Sequence, residues 1–334
     1  MPILLTEDDV RTLVTMDDLI ETMEVALAEF SAREAAQPLR SVLQIGARES
    51  YFGVMPASIP SRPALGVKLV TVFASNPERG LPTHLATIIL LDPETGALRA
   101  LVDGRYITEA RTAAASAVSV KHLARKDAGV LALIGSGVQA RSHLDAIGRV
   151  RPLREVRVWS RSAANRDTFV NDMSVQTSAS LRSVANAEDA VQGADIVVLV
   201  TASRDPVVRN EWVTDGTHIC AVGACRPDQR EMDAALVARS LLYVDSREGA
   251  LAEAGDIVLA MKEGAIGASH IVGELGELVA GACRRRVNDG QVTIFKSLGM
   301  AVEDVAAAHL AYSRARERGV GSRFTVDGSQ NGEP

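Results

Sequence analysis

Val130-Leu-Ala-Leu-Ile134 runs straight into Gly135-Ser136-Gly137-Val138-Gln139-Ala140, after which apolar residues recur at Leu144 and Ile147. A short apolar run, a Gly-x-Gly-x-x-Ala turn and a helical period make the strand–turn–helix grammar of a dinucleotide-binding unit. Gly135 permits the tight turn, Gly137 lets a pyrophosphate approach the backbone, and Ala140 keeps helix and strand close. The free amides of Val138, Gln139 and their neighbours, at the positive end of the new helix, face the phosphates. Such glycines also occur in ordinary strand-to-helix turns. The apolar strand before them and the helical period after them favour the nucleotide reading.

The next strand selects the nucleotide. Glu155-Val-Arg-Val-Trp159 ends in Ser160-Arg161. NAD enzymes place an acid at this point for the ribose 2′-hydroxyl. None stands here, and Asp167 falls well inside the following helix. A hydroxyl followed by a guanidinium suits a 2′-phosphate through charge-assisted hydrogen bonds. NADPH is therefore expected, with NADH as the alternative. A solvated arginine at a helix start is the competing account of Arg161. Thr201, Ala202, Val222 and Gly223, at later strand ends, are further candidates for cofactor contacts, as is Ser136 in the turn itself.

Working outward, strands are expected at 130–134, 156–160, 196–200, 217–222 and 241–245. A further strand segment ends near Ser183-Val-Ala-Asn186, and Ala187–Gln192 reads as a short helix. This alternation predicts a doubly wound parallel sheet. Upstream, Ser41–Ile45, Tyr51–Met55, Leu65–Phe73, Thr83–Leu91 and Leu98–Val102 read as strands of an antiparallel sheet, with a hairpin turn at Asp92-Pro-Glu-Thr-Gly96. Two helices open the chain, with Thr6 and Thr15 as caps and Asp9 and Asp18 three residues beyond. A helix of small residues is expected over Ile107–Arg125. A last helix from Ser297 to Arg318 returns towards the first domain. The expected division is 1–120 with 300–334 as a substrate-binding and dimerisation domain, and 121–299 as the nucleotide domain. The polar, Gly-rich tail from Gly321 to Pro334 is expected to fray.

Composition bounds the rest. The 334 residues, 47% hydrophobic and 23% charged, describe about two globular domains with ample core. A net charge of −6 gives no basic surface for nucleic acid. No apolar run reaches membrane-span length, and the N-terminus lacks the pattern of a signal peptide. Cys220, Cys225 and Cys283 form no Cys-x-x-Cys pair, which fits a reducing cytoplasm and offers no zinc site. The six histidines are scattered, and no metal is expected.

Two charges break the local pattern. Lys68 sits in Ala64-Leu-Gly-Val-Lys-Leu-Val-Thr-Val-Phe73, apolar on both faces, and Arg111 sits among the small residues of Ile107–Ser116. A buried cation is costly unless paired. Each either extends its head to solvent or serves a site. With Arg40 on a strand edge, three cations converging on one cleft would bind a carboxylate.

These residues carry a family resemblance. Val54-Met-Pro-Ala57, Gly66-Val-Lys68, Gly80-Leu-Pro-Thr83, Asp103-Gly104, Thr108–Ala115, Gly135–Ala140 and Val222-Gly-Ala-Cys-Arg-Pro-Asp228, with Arg230-Glu231 and Asp233, resemble the ornithine cyclodeaminase/μ-crystallin family over nearly the whole chain. The resemblance implies a Rossmann domain inserted into an α+β first domain, and a homodimer built through the sheets of the first domains. It implies that Arg40, Lys68 and Arg111 bind an amino- or imino-acid carboxylate, that Thr83 lies near the substrate, and that Ser297 lies near the nicotinamide. The cyclising and alanine dehydrogenase branches carry Asp where this chain has Cys225, and the cyclodeaminases carry an acid where it has Gly53-Val54. Gly53-Val-Met-Pro-Ala57 and Arg226-Pro-Asp228 look like the μ-crystallin branch, which reduces cyclic ketimines with NADPH.

The expectation is thus a cytoplasmic NAD(P)H-dependent reductase of a small cyclic imino acid, Δ1-pyrroline-2-carboxylate or Δ1-piperideine-2-carboxylate. Lys68 is expected to hold the carboxylate and, if burial lowers its basicity, to share a proton. Asp228 is the other candidate proton donor, against a plain turn residue after Pro227. The alternatives are an ornithine cyclodeaminase, an alanine- or opine-type dehydrogenase, and a non-catalytic NADPH-binding protein.

Overall fold

The computed structural model describes residues 1–46 and 50–325. In chain order its elements are β1 (Ile3–Leu5), α1 (Glu7–Leu13), α2 (Met16–Ser31), β2 (Ser41–Gln44), β3 (Ser50–Ile59), β4 (Ala64–Phe73), β5 (His84–Leu91), β6 (Leu98–Asp103) and α3 (Arg105–Leu123). They continue as β7 (Val130–Ile134), α4 (Val138–Val150), β8 (Glu155–Trp159), α5 (Ala163–Met173), β9 (Ser180–Ser183), α6 (Ala187–Val191), β10 (Ile196–Leu199) and β11 (His218–Ala221). The last third holds α7 (Ala234–Arg239), β12 (Leu241–Val244), α8 (Arg247–Glu253), α9 (Gly255–Lys262), β13 (Ile271–Glu274), α10 (Leu275–Val279), β14 (Thr293–Lys296), α11 (Ala301–Arg318) and β15 (Ser322–Arg323).

The chain divides into two compact units. One joins 1–15, 33–108 and the residues from 301 onward; the other joins 16–32 and 109–300. The sequence-based boundary at 120 therefore moves. Most of α3 belongs with the nucleotide unit because its Val120, with Ala124 just beyond it, joins the core of Leu131 and Leu133. α2 groups there too, packed on α10 and α4.

The first unit is a seven-stranded sheet in the order β15-β1-β6-β5-β4-β3-β2, antiparallel except for the β1–β6 pair. Thr6 caps α1 in a reciprocal box with Asp9, and α2 begins directly after Thr15. Asp92 closes the β5–β6 hairpin by accepting from the amides of Glu94 and Thr95. α11 packs on β3, β4 and β5. Close approach is possible because its inner face is mostly Ala and Val, and because Gly66 leaves room for Val305, which a Cβ there would meet at 3.4 Å. The expected last helix starts at Ala301 rather than Ser297. Residues 297–300 form an irregular segment instead, with Gly299 in the left-handed region at φ +80. Ser322 and Arg323 pair with β1 instead of fraying; residues 326–334 of the expected tail lie outside the described residues.

The second unit is the expected Rossmann-type sheet: eight parallel strands in the order β13-β12-β14-β11-β10-β7-β8-β9. An apolar core forms on each face, with Ala132, Ile134 and Val197 in one and Leu131, Leu133 and Val198 in the other, as alternation along buried strands requires. β13 and β14 were not anticipated. β14 inserts between β11 and β12, and carries Lys296 at its end.

Candidate active site

In an open parallel sheet, ligands bind beyond the carboxyl ends of the strands. Here the β7–α4 turn has the geometry the glycines imply. Gly135 adopts φ +126, which favours glycine, and a Cβ there would press on the Val200 carbonyl at 2.9 Å. Gly137 caps α4 without any side-chain bond to the first-turn amides, and a Cβ on it would meet nothing within 4 Å. The space and the amides suit a pyrophosphate. Ala140 is fully buried between α4 and the sheet. Val138 is exposed at the first turn, and the Gln139 Oε1 is buried with no hydrogen-bond partner among the described residues.

A cavity of about 810 Å³ adjoins this turn. Gly135 and Ser136 line it from β7, Ser160, Arg161 and Asn165 from the β8 side, and Thr201, Ala202 and Arg204 from the β10 side. The Ser136 hydroxyl donates to the Ser160 hydroxyl at 2.9 Å, tying two of these strand ends together. Arg161 is exposed. Asp167 points away as expected, accepting from the Ser183 hydroxyl. These features fit a nicotinamide dinucleotide. Arg204 and Asn165 in the wall were not anticipated, because a loop residue beyond a strand end and a polar residue in the first turn of α5 carry no periodic signal.

Behind the cavity lies a buried ionic network. Glu231 is fully buried. Its Oε1 accepts from the Thr201 amide at 2.5 Å and the Thr201 hydroxyl at 2.8 Å, and its Oε2 from the Gly223 and Ala224 amides at 2.8 and 3.2 Å. Asp256 Oδ1 accepts from the Glu231 and Met232 amides, and Asp256 Oδ2 lies 2.9 Å from Lys296 Nζ. Burial pushes the Glu231 carboxyl up to about 7, against the pull of Lys296. Burial opposes the charge on Lys296, but Asp256, Cys225 and Glu231 outweigh it and hold the ammonium above its ordinary range. Val222 is buried at the end of β11, and the Cys225 thiol donates to its carbonyl.

Arg111 is 3% exposed, so it does not reach solvent. Its guanidinium lies beneath Gly299, where a Cβ would come within 2.5 Å of Nη1. Asp245, at the end of β12, accepts from the Leu298 and Gly299 amides at 2.5 and 2.8 Å and so holds this segment in place. The adjacent Ser297 is 1% exposed, and its hydroxyl has no hydrogen-bond partner among the described residues.

In the first unit Lys68 is 2% exposed and lies 2.5 Å from Asp304, itself completely buried on α11. The Asp304 carboxylate offsets the cost of burying the Lys68 ammonium. The strand register places Met55, Lys68, Ile88 and Val102 in one cross-strand row. Arg40, half-buried just before the Ser41–Val54 pair, falls at the end of that row. Thr83 does not join it: it is exposed at the mouth of the β4–β5 hairpin, five residues before Ile88. Asp228 is also exposed, with its carboxylate 3.4 Å from the Arg204 guanidinium, in the manner of a surface pair. Asp304 went unnoticed in the sequence, although adjacent acids, Glu303-Asp304, on the apolar side of a helix were a usable signal.

The model of the ornithine cyclodeaminase/mu-crystallin family matches residues 1–319. Ketimine reductase mu-crystallin of Rattus norvegicus is 41% identical over 315 residues, covering 93% of this chain and 96% of the rat protein. The structure of Thermococcus litoralis Δ1-pyrroline-2-carboxylate reductase in complex with NADH and L-proline superposes with a TM-score of 0.94 at 41% identity, covering 96% of this chain and all (100%) of that one. An archaeal alanine dehydrogenase dimer with bound NAD gives 0.93 at 34% identity, covering 98% and 99% of the two chains.

Proposed function

The chain belongs to the ornithine cyclodeaminase/mu-crystallin family, and from that premise we propose that it reduces a small cyclic imino acid, Δ1-pyrroline-2-carboxylate or Δ1-piperideine-2-carboxylate, with a nicotinamide dinucleotide. The observation that carries this reading is the buried Lys68 ammonium, held by Asp304 in the same strand row as Arg40. A cation sealed from water suits a substrate carboxylate. The relatives named for ketimine and pyrroline-2-carboxylate reduction support the substrate class.

When bound, the dinucleotide supplies a hydride to the imine carbon. The amides of the β7–α4 turn hold its pyrophosphate, Ser160 and Arg161 receive a 2′-phosphate, and Ser297 offers its unpartnered hydroxyl near the reacting end. Arg40, Lys68 and Arg111 fix the carboxylate and with it the imine face that is presented. The imine nitrogen must carry a proton for the carbon to accept hydride. We assign that proton to Lys68 Nζ, an ammonium already charge-balanced by Asp304. Asp228, exposed beside Arg204, is better suited to the rim of the cofactor cavity than to this role. Thr83 is retained only as an outer contact.

Cys225 separates this reading from the cyclodeaminase. Deamination calls for a carboxylate to handle the amine and a water, and a neutral thiol is a poor substitute. A spectrophotometric screen of NADPH and NADH against both imino acids, pyruvate with amines, and L-ornithine is the test. Oxidation of the reduced cofactor by a cyclic imino acid supports the proposal. Ammonia from ornithine without net cofactor oxidation, or no turnover of any substrate, defeats it.

We further propose a homodimer joined through the first-unit sheets, and a cytoplasmic location consistent with three free cysteines. The register aligns Leu43, Phe52, Thr71 and Leu85 in a row on the sheet face away from Lys68, and Leu43 and Leu85 are 60% and 39% exposed. Such an apolar stripe suits a second copy, and the archaeal relative is a dimer. No described helix is long and apolar enough to cross a membrane.

A further inference from the structure

Glu231 takes no part in the chemistry above, yet its carboxylate bridges two strand ends of the nucleotide unit. On one side it holds Thr201, which lines the cofactor cavity. On the other it holds the amides of Gly223 and Ala224, just after β11. The two segments come so close that a Cβ on Gly223 would collide with the Thr201 backbone and with Glu231 Oε1. Four donors converge on one fully buried acid, so both its oxygens are needed as acceptors. Its own position is set from behind. The Glu231 amide donates to Asp256, and Asp256 is fixed by Lys296 at the end of β14. α9 begins close enough for this only because residue 255 is glycine, seated against the carbonyls of Arg226 and Gln229.

We propose that Glu231 is a positioning residue for the dinucleotide: its carboxylate clamps the segments after β10 and β11 at the spacing the cofactor requires, and the buried Lys296–Asp256 pair keeps the clamp in register. The inference rests on the dinucleotide reading of the cavity. The groups facing Glu231 are the Thr201 hydroxyl and amide, the Gly223 and Ala224 amides, Asp256 and Lys296, with Cys225 near Lys296. A proton on Glu231 turns one acceptor into a donor and opposes one of the four bonds. Glu231→Gln places an NH2 group at the same point, so the variant imitates the protonated protein.

The probe is NADH, which has no 2′-phosphate to titrate, and the readout is its dissociation constant by fluorescence titration. Wild type should bind more weakly as pH falls through about 7, where burial has placed the Glu231 carboxyl. Glu231→Gln should bind about tenfold more weakly at neutral pH and show little dependence on pH, as expected for one lost charge-assisted bond. The KM for the imino acid, measured with saturating cofactor, should move much less. A folded Glu231→Gln protein that binds NADH as wild type does overturns the clamp. If that variant does not fold, wild type alone decides, and an affinity that stays flat between about pH 5.5 and 8.5 overturns it. A wild-type protein that binds neither NADH nor NADPH refutes the dinucleotide reading itself, a result separable from failure of the clamp.

Discussion

Asp304 on α11 and Lys68 on β4 meet at 2.5 Å, with neither open to solvent. Their positions are 236 residues apart in the chain, so the last helix completes the site of a sheet built from the first third. Breaking a buried pair from one side leaves an uncompensated charge and costs about 3–5 kcal/mol. Asp304→Asn should therefore lower the unfolding free energy by about that amount. The double variant Lys68→Met/Asp304→Leu should recover most of it while abolishing imino-acid turnover. Denaturant titration of the three proteins checks this. A double variant as unstable as Asp304→Asn would show that the pair is not the unit of stability.

Gly299 combines φ +80 with contact against the Arg111 guanidinium. Gly299→Ala meets both the left-handed strain, about 1–2 kcal/mol, and a displaced arginine. The imino-acid KM should rise several-fold with the dinucleotide affinity nearly unchanged. Arg111→Ala should raise it further, and imines without a carboxylate should be poor substrates of wild type. Equal turnover of 1-pyrroline and its 2-carboxylate would remove the carboxylate clamp from the account.

Cofactor choice turns on Arg161. Arg161→Ala should weaken NADPH by about 10–100-fold, the equivalent of roughly 1.5–3 kcal/mol for a lost charged bond. NADH should be nearly unaffected. Parallel losses for both cofactors, measured by fluorescence titration, would assign Arg161 to general stability instead.

The parts of this protein legible in its sequence are those whose cause is local. Gly135 and Gly137 announce a turn because the backbone conformation and the open space belong to those residues themselves. β4 and β5 are long enough for their patterns to be read. Lys68 and Arg111 stand out because a charge among apolar neighbours is costly wherever the chain goes. Asp245 and Asp256 were missed, and Glu231 was quoted without a role, because each answers a donor brought to it by the fold. β14 was missed because four residues ending in a lysine give no pattern of their own, although the sheet buries all of them. The boundary falls within α3 because a helix of small residues carries no local mark of which core it joins.

Two histidines make stability depend on pH. His143 bridges the Gln139 carbonyl and the Ser116 hydroxyl, and His218 bridges Ser119 and Thr293. Burial drives them down to about 4 and about 3 from 6.5. The unfolded chain therefore binds more protons than the native one below about pH 6.5, and stability falls as pH drops from there towards 4. Each histidine adds a slope of about 1.4 kcal/mol per pH unit. His143→Gln should remove one proton's worth of that slope in denaturant titrations at several pH values. An unchanged slope would mean that His143 is protonated in the native state.

Isotope transfer follows the hydride itself from the dinucleotide to the cyclic imino acid. NADPH deuterated at both C4 positions of the nicotinamide is incubated with Δ1-pyrroline-2-carboxylate or Δ1-piperideine-2-carboxylate and wild-type protein, and the amino acid formed is analysed by mass spectrometry. The L-proline or L-pipecolate formed should carry one deuterium at C2. Unlabelled amino acid, or proline and ammonia appearing from L-ornithine while neither imino acid is reduced, would contradict hydride delivery to the imino acid.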